Sequence, residues 1–147
     1  MMSQKIKAAV VRKNSKKAFT VVELVIVIAV LGLLAAIAVP VITTSINSSK
    51  LSVMESDAAT VEMLLKEAIN CSKVKLNTLY NNKTVSNATV KDVLIQNHIE
   101  DSVMEVKTIG GVKYAIYWDT TTQGTSLHSG NGLTPYNVNT TIASLEP

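Results

Sequence analysis

Lys16-Lys17-Ala18-Phe19-Thr20-Val21-Val22-Glu23-Leu24-Val25-Ile26-Val27-Ile28-Ala29-Val30-Leu31 sets a single acid at the head of an apolar run. A carboxylate held in hydrocarbon costs several kcal/mol unless it is neutralised or paired, so Glu23 marks a functional position by default. Residues 24–39 are sixteen in a row without a polar side chain, interrupted only by Gly32. With residues 19–22, Val41 and Ile42 the segment reaches 24 residues. As a helix at ~1.5 Å per residue it is ~36 Å long, enough to cross a bilayer core of ~30 Å.

Working outward, the charge divides sharply at Phe19. Before it stand six basic residues (Lys5, Lys7, Arg12, Lys13, Lys16 and Lys17) and no acid. The rest of the 147-residue chain holds the other eight basic groups against all 11 acidic ones. Basicity therefore belongs to the leader, and a pI near 9.0 is no argument for nucleic acid. Lys16 and Lys17 place the N-terminus in the cytoplasm by the positive-inside rule, facing anionic headgroups. Cys71 is the sole cysteine, so an internal disulfide is excluded. Its place in a helical pattern reads as a structural thiol. His98 and His128 lie far apart without ligand-like companions, which gives no metal site and no cofactor.

Three readings of the apolar segment compete. A plain single-pass anchor explains its length and the lysines but not Glu23. A secretory signal cut after Ala36-Ile37-Ala38 puts a charge inside the apolar core of the signal. A third reading places a cut between Ala18 and Phe19 and keeps the apolar run in the mature protein. It rests on the family resemblance of the residues described next, which implies a cationic α-amino group four residues before the acid, met by a neighbouring copy's Glu23 as a register mark more than a source of stability.

Residues 13–42 resemble the processing region of type IV prepilins, with the Phe19/Glu23 spacing, the basic leader and the retained apolar run. The resemblance implies removal of residues 1–18 by a prepilin peptidase, N-methylation of Phe19, and docking through Glu23. Gly32 and Pro40 match positions where many family members carry Gly and Pro. Ala18 departs from the family's usual Gly, and slower processing is the expected result. Both Gly and Pro weaken a helix, by about 1 and 3 kcal/mol, so residues 33–39 form a weak stretch between them.

Beyond Pro40, Leu51, Met54, Ala58, Val61, Leu65, Ala68 and Ile69 recur at helical spacing, and one helix is expected from about Thr20 to Lys75. Residues 77–87 read as a loop. Thr89-Val90-Lys91-Asp92 has capping-box spacing and opens a short helix to about Asn97. Residues 103–109, Gly110-Gly111 and residues 112–118 read as a hairpin. Its register would set Val106 opposite Ala115, Met104 opposite Tyr117, Val103 opposite Trp118 and Glu105 opposite Ile116. Further strands are expected near residues 126–128 and 136–142. The hairpin's covered face stays open.

The expected fold is α+β: a long N-terminal helix, membrane-spanning then amphipathic, packed on a small antiparallel sheet in the lollipop form of the pilin family. Residues 1–18 are the leader, 19–42 the transmembrane or filament-core helix, and 43–147 the exported domain. No catalytic constellation appears, so an enzyme is excluded. The resemblance implies a structural subunit of a type IV pilus-like filament, stored in the membrane and then extracellular on the cell surface. Its implied partners are copies of itself, the prepilin peptidase, an assembly platform protein and an ATPase. Two alternatives stand: a pseudopilin of a type II secretion or DNA-uptake system, and a membrane-anchored adhesion module that never polymerises.

Overall fold

The computed structural model describes residues 20–74 and 79–146, which divide at Val39/Pro40 into two compact units. Helix α1, Val21–Lys73, contributes to both. Its expected end at Lys75 and the first two residues of the expected loop lie outside the described residues. In the first unit every described side chain is exposed, because the apolar residues surround the helix on all sides. Such a helix has no face to turn toward water.

In the second unit α1 becomes one-sided. Met54, Val61, Leu65, Ala68 and Ile69 are buried on one face, while Ser56, Thr60, Lys66 and Glu67 do not enter the core. Packed against that face are helix α2 (Val90–Gln96) and strands β3 (Lys107–Ile109), β4 (Val112–Asp119) and β5 (Gly124–Ser129). These three strands form an antiparallel sheet in the order β3-β4-β5. Ile116 and Trp118 enter the core, which settles the face of the hairpin that covers the helix. The β5 end is pinned to α1 by Thr125, whose N–H donates to Glu62 Oε2 at 3.0 Å and whose hydroxyl donates to Ala58 O at 2.9 Å. Lys66 and then the Thr125 N–H hold the Glu62 carboxyl below its ordinary value.

The Gly110-Gly111 turn has both residues at positive φ (58° and 83°), as a tight two-residue hairpin requires. It gives the expected register over three pairs, Ile109↔Val112, Thr108↔Lys113 and Lys107↔Tyr114. Pairing stops there, and none of the four pairs expected at residues 103–106 forms. Asp101–Met104 is instead a 3₁₀ turn. Val103 and Met104 are consecutive and both lie in the core, whereas a strand would send them to opposite faces. Residues 126–128 do form a strand, lengthened at both ends into β5.

Two further expectations need correcting. The loop reading of residues 77–87 gives way to a small hairpin, β1 (Leu79–Tyr80) with β2 (Lys83–Thr84). Asn81 and Asn82 supply its positive-φ turn, a conformation Asn tolerates better than most residues. The strand expected at residues 136–142 is instead a strap that turns at Val138 and Asn139, where Thr140 N donates to Asn137 O at 3.0 Å, and it makes one isolated bridge, Thr141 to Thr89. Its carbonyls at Val138 and Thr140 accept from Lys91 N and Val90 N, at 2.8 and 3.0 Å. Those are first-turn N–H groups of α2, which have no acceptor inside their own helix. Ile142 and Leu145 then enter the core from a final 3₁₀ turn.

The capping box at α2 forms as expected: Thr89 Oγ1 accepts from Asp92 N, and Asp92 Oδ2 accepts from Thr89 N. Asp92 also accepts from Asn81 Nδ2 at 2.9 Å and pairs with Lys83 Nζ at 2.7 Å, so it ties the β1–β2 hairpin to α2. Burial alone would push this carboxyl up. Lys83, Asn81 and Thr89 outweigh burial and hold it far below the carboxylate range. Stability from Asp92 is therefore complete above about pH 4, its unfolded value, and fades as pH falls toward the folded one. Asp92→Asn should cost about 1–3 kcal/mol at pH 7, with the difference from wild type narrowing in acid. Urea unfolding of the full chain in micelles at several pH values checks both the size and the trend.

Candidate assembly segment

Thr20 opens α1 and Glu23 sits one turn inside it. The Glu23 carboxylate accepts from Thr20 N at 2.9 Å and from Thr20 Oγ1 at 3.1 Å. In return Glu23 N donates to Thr20 Oγ1 at 3.2 Å. This reciprocal arrangement is a capping box, satisfying two groups that the helix start would otherwise leave open. Sequence reasoning about Glu23 as a charge in lipid passed over it, although Thr20-Val21-Val22-Glu23 carries the required spacing. The cap needs only Thr20's amide and hydroxyl, both of which a cut between Ala18 and Phe19 leaves in place.

The cap does not offset the cost of the charge. A capping interaction stabilises a helix by about 1 kcal/mol, while a bare carboxylate in hydrocarbon costs several. From Val21 onward the side chains around Glu23 are apolar and exposed, with Val21 78%, Leu24 60% and Ile28 58% accessible. The helix surface thus offers an apolar ribbon carrying one acid near its start.

Gly32 stands in open space: a Cβ added there would meet nothing within 4 Å. Its small size is therefore not demanded by a contact inside this chain. Pro40 lies within α1 and supplies no N–H, so the Ala36 carbonyl loses its usual helical donor. One turn on, the hydroxyls bond back to the helix. Thr43 Oγ1 and Thr44 Oγ1 donate to Pro40 O at 2.9 and 3.1 Å, and Ser49 Oγ donates to Ser45 O at 2.9 Å. Polar side chains above the apolar run are in this way satisfied locally.

Glu23, Gly32 and Pro40 stand on separate turns of α1, and no fold contact brings them together. Ala18 and Phe19, the expected cleavage site, lie outside the described residues. Residues 13–39 match the family model of the prokaryotic N-terminal methylation motif. The chain carries a prepilin methylation motif. The motif spans the expected cleavage position, Glu23 and Gly32, and is consistent with assignment to the type IV pilins and pseudopilins. No solved structure matches this chain. The helix behind the motif is long and apolar enough to cross a membrane.

Among the described residues no group of three or more His, Cys, Asp or Glu is placed to hold a metal ion. Ser126 Oγ and His128 Nε2 approach to 2.8 Å on the outer face of β5, where His128 packs against the Tyr117 ring at 4.9 Å. His128 is open to water there, and the pair is a surface contact. Thr20→Ala should loosen the first turn of α1 by about 1 kcal/mol without altering the rest of the helix. Amide hydrogen exchange of residues 21–24 in micelles should quicken accordingly, and that of residues 54–72 should not.

Proposed function

We propose that this chain is the structural subunit of a type IV pilus-like surface filament. A prepilin peptidase cleaves between Ala18 and Phe19, Phe19 is N-methylated, and the mature chain polymerises through α1. The observation that carries the reading is Glu23: a single acid in an apolar, fully exposed ribbon, inside a methylation motif. The new α-amino group of Phe19 in one copy pairs with Glu23 of the next. In low dielectric this pair recovers much of what each charge loses on leaving water, and a subunit out of register recovers none of it.

Before assembly residues 19–42 hold the subunit in the membrane, N-terminus in the cytoplasm, and residues 43–147 fold outside. An assembly platform protein and an ATPase lift it into the filament, where it becomes extracellular. Gly32 and Pro40 let α1 bend or lengthen during that transfer, because each removes stabilising backbone interactions from the turn it occupies.

Two substitutions separate the charge of Glu23 from its cap. Glu23→Ala removes both; Glu23→Gln retains a side-chain oxygen for Thr20 and removes the charge alone. Both variants should be processed and remain in the membrane while filaments, counted by electron microscopy, are lost. Wild-type filament numbers from Glu23→Gln would assign Glu23 to the cap and sink the docking role. At the cut itself, Ala18→Gly should raise the rate at which precursor converts to mature chain several-fold in a pulse-chase. An unchanged rate would mean that the residue before the cut does not limit the peptidase.

A further inference from the structure

Positive charge in the second unit is gathered at the end where the apolar run stops. Residues 41–54 of α1 and residues 106–114 around the hairpin turn contain Lys50, Lys107 and Lys113 and no acid. The remainder of residues 40–147 holds five lysines against ten acids. The two basic segments are neighbours in space. A Cβ on Gly110 would sit 3.0 Å from Asn47 Nδ2, so the hairpin turn leans on α1 at Asn47. Together they line a groove with Ile42, Ile46, Lys50, Val53, Lys107 and Ile109.

The height of this end along α1 matters. Asn47 lies five residues above Ile42, about 7 Å of helix, and Lys50 about 12 Å above it. The headgroup layer on each side of a bilayer is roughly 5–8 Å thick. Ile42, the last residue of the apolar run, therefore marks a surface that the hairpin turn and the Lys50 side chain can reach. Exposed apolar side chains accompany the lysines there, Ile46 at 47% and Val112 at 40% accessible. Lys107 leans away toward Asp57 at 3.9 Å, which leaves Lys50 and Lys113, both exposed, as the cations of this end that pair with no acid among the described residues.

We propose that this end of the domain docks on anionic phospholipid in the leaflet next to Ile42. Lys50 and Lys113 bind headgroup phosphates, and Val112 and Ile46 face the headgroup layer just above Ile42. The docking rests on residues 19–42 being the membrane span. It holds the stored subunit against the bilayer, and the contact is broken when the subunit leaves. The occupant follows from charge complementarity and from continuity with the apolar run. A second copy's apolar ribbon would fill the groove but would leave the lysines without acids, since Glu23 is the only acid that ribbon carries.

The test places a photo-crosslinking benzoylphenylalanine at Val112 in the full chain, reconstituted in nanodiscs of phosphatidylglycerol or of phosphatidylcholine. The expected product is a chain–lipid adduct in phosphatidylglycerol. Its yield should fall on the order of tenfold in phosphatidylcholine or in a Lys50→Ala/Lys113→Ala double variant, the scale set by two lysines near an anionic surface. Equal adduct in both lipids, indifferent to the lysines, overturns the docking. Crosslinks to a second copy in place of lipid also overturn it and give the face to subunit contact. A chain that does not enter the discs at all overturns the membrane span itself, and the docking with it.

Discussion

One helix must satisfy two solvents. From Leu24 to Ile42 α1 is apolar on every side, which suits hydrocarbon or a bundle of like helices and nothing else. From Met54 its apolar residues retreat to one face and build the core of a folded domain. The change occupies about three turns, and those turns hold the self-satisfied hydroxyls of Thr44 and Ser49 and the Lys50 side chain. Helical geometry makes this economical, because every backbone bond is met within the segment whatever lies outside. The same economy explains why the domain is assembled around α1. Among the described elements α1 alone is long enough to meet both environments, and the sheet and α2 cover the single face that the second environment leaves dry.

Attachment of the sheet to α1 depends on few polar groups. Thr125 and Glu62 hold the β5 end, while Met54, Val61, Leu65 and Ile69 supply the apolar contact. On the far side, Asp92 joins three parts of the chain: the β1–β2 turn through Asn81 and Lys83, the start of α2 through Thr89, and its own helix. The C-terminal strap closes the same corner by accepting from Val90 and Lys91. A chain whose only cysteine is Cys71 thus fixes its terminal segment with backbone hydrogen bonds and with Ile142 and Leu145 in the core.

What could be read in the sequence follows from which signals are local. The helical period of residues 51–69, the Thr89–Asp92 cap and the Gly110-Gly111 turn are each encoded within a few residues, and each appears where expected. Residues 103–106 misled because β-rich composition does not say whether consecutive apolar residues share a face. Only the core around Val103 and Met104 decides that. Residues 136–142 misled differently: the segment turns at Val138 and Asn139, and its backbone partners are a helix start and not a strand. The Asn81-Asn82 turn and the Thr20–Glu23 cap were present as local patterns and were outweighed by louder ones, polar composition in one case and a membrane-embedded charge in the other. Of the assembly segment, the methylation motif was fully legible, since cleavage chemistry is written in contiguous residues.

The cap narrows how a cation, such as the one proposed above, could approach Glu23. With one carboxylate oxygen receiving two bonds from Thr20, the side chain is folded back along the helix and not extended from it. It is pre-oriented toward the start of α1. A partner cation arriving beside that first turn finds the acceptor in place and pays little side-chain entropy to engage it. A cation approaching midway along the ribbon would have to pull Glu23 off its cap, giving up about 1 kcal/mol before gaining any attraction. Local geometry therefore favours pairing at the level of the helix start.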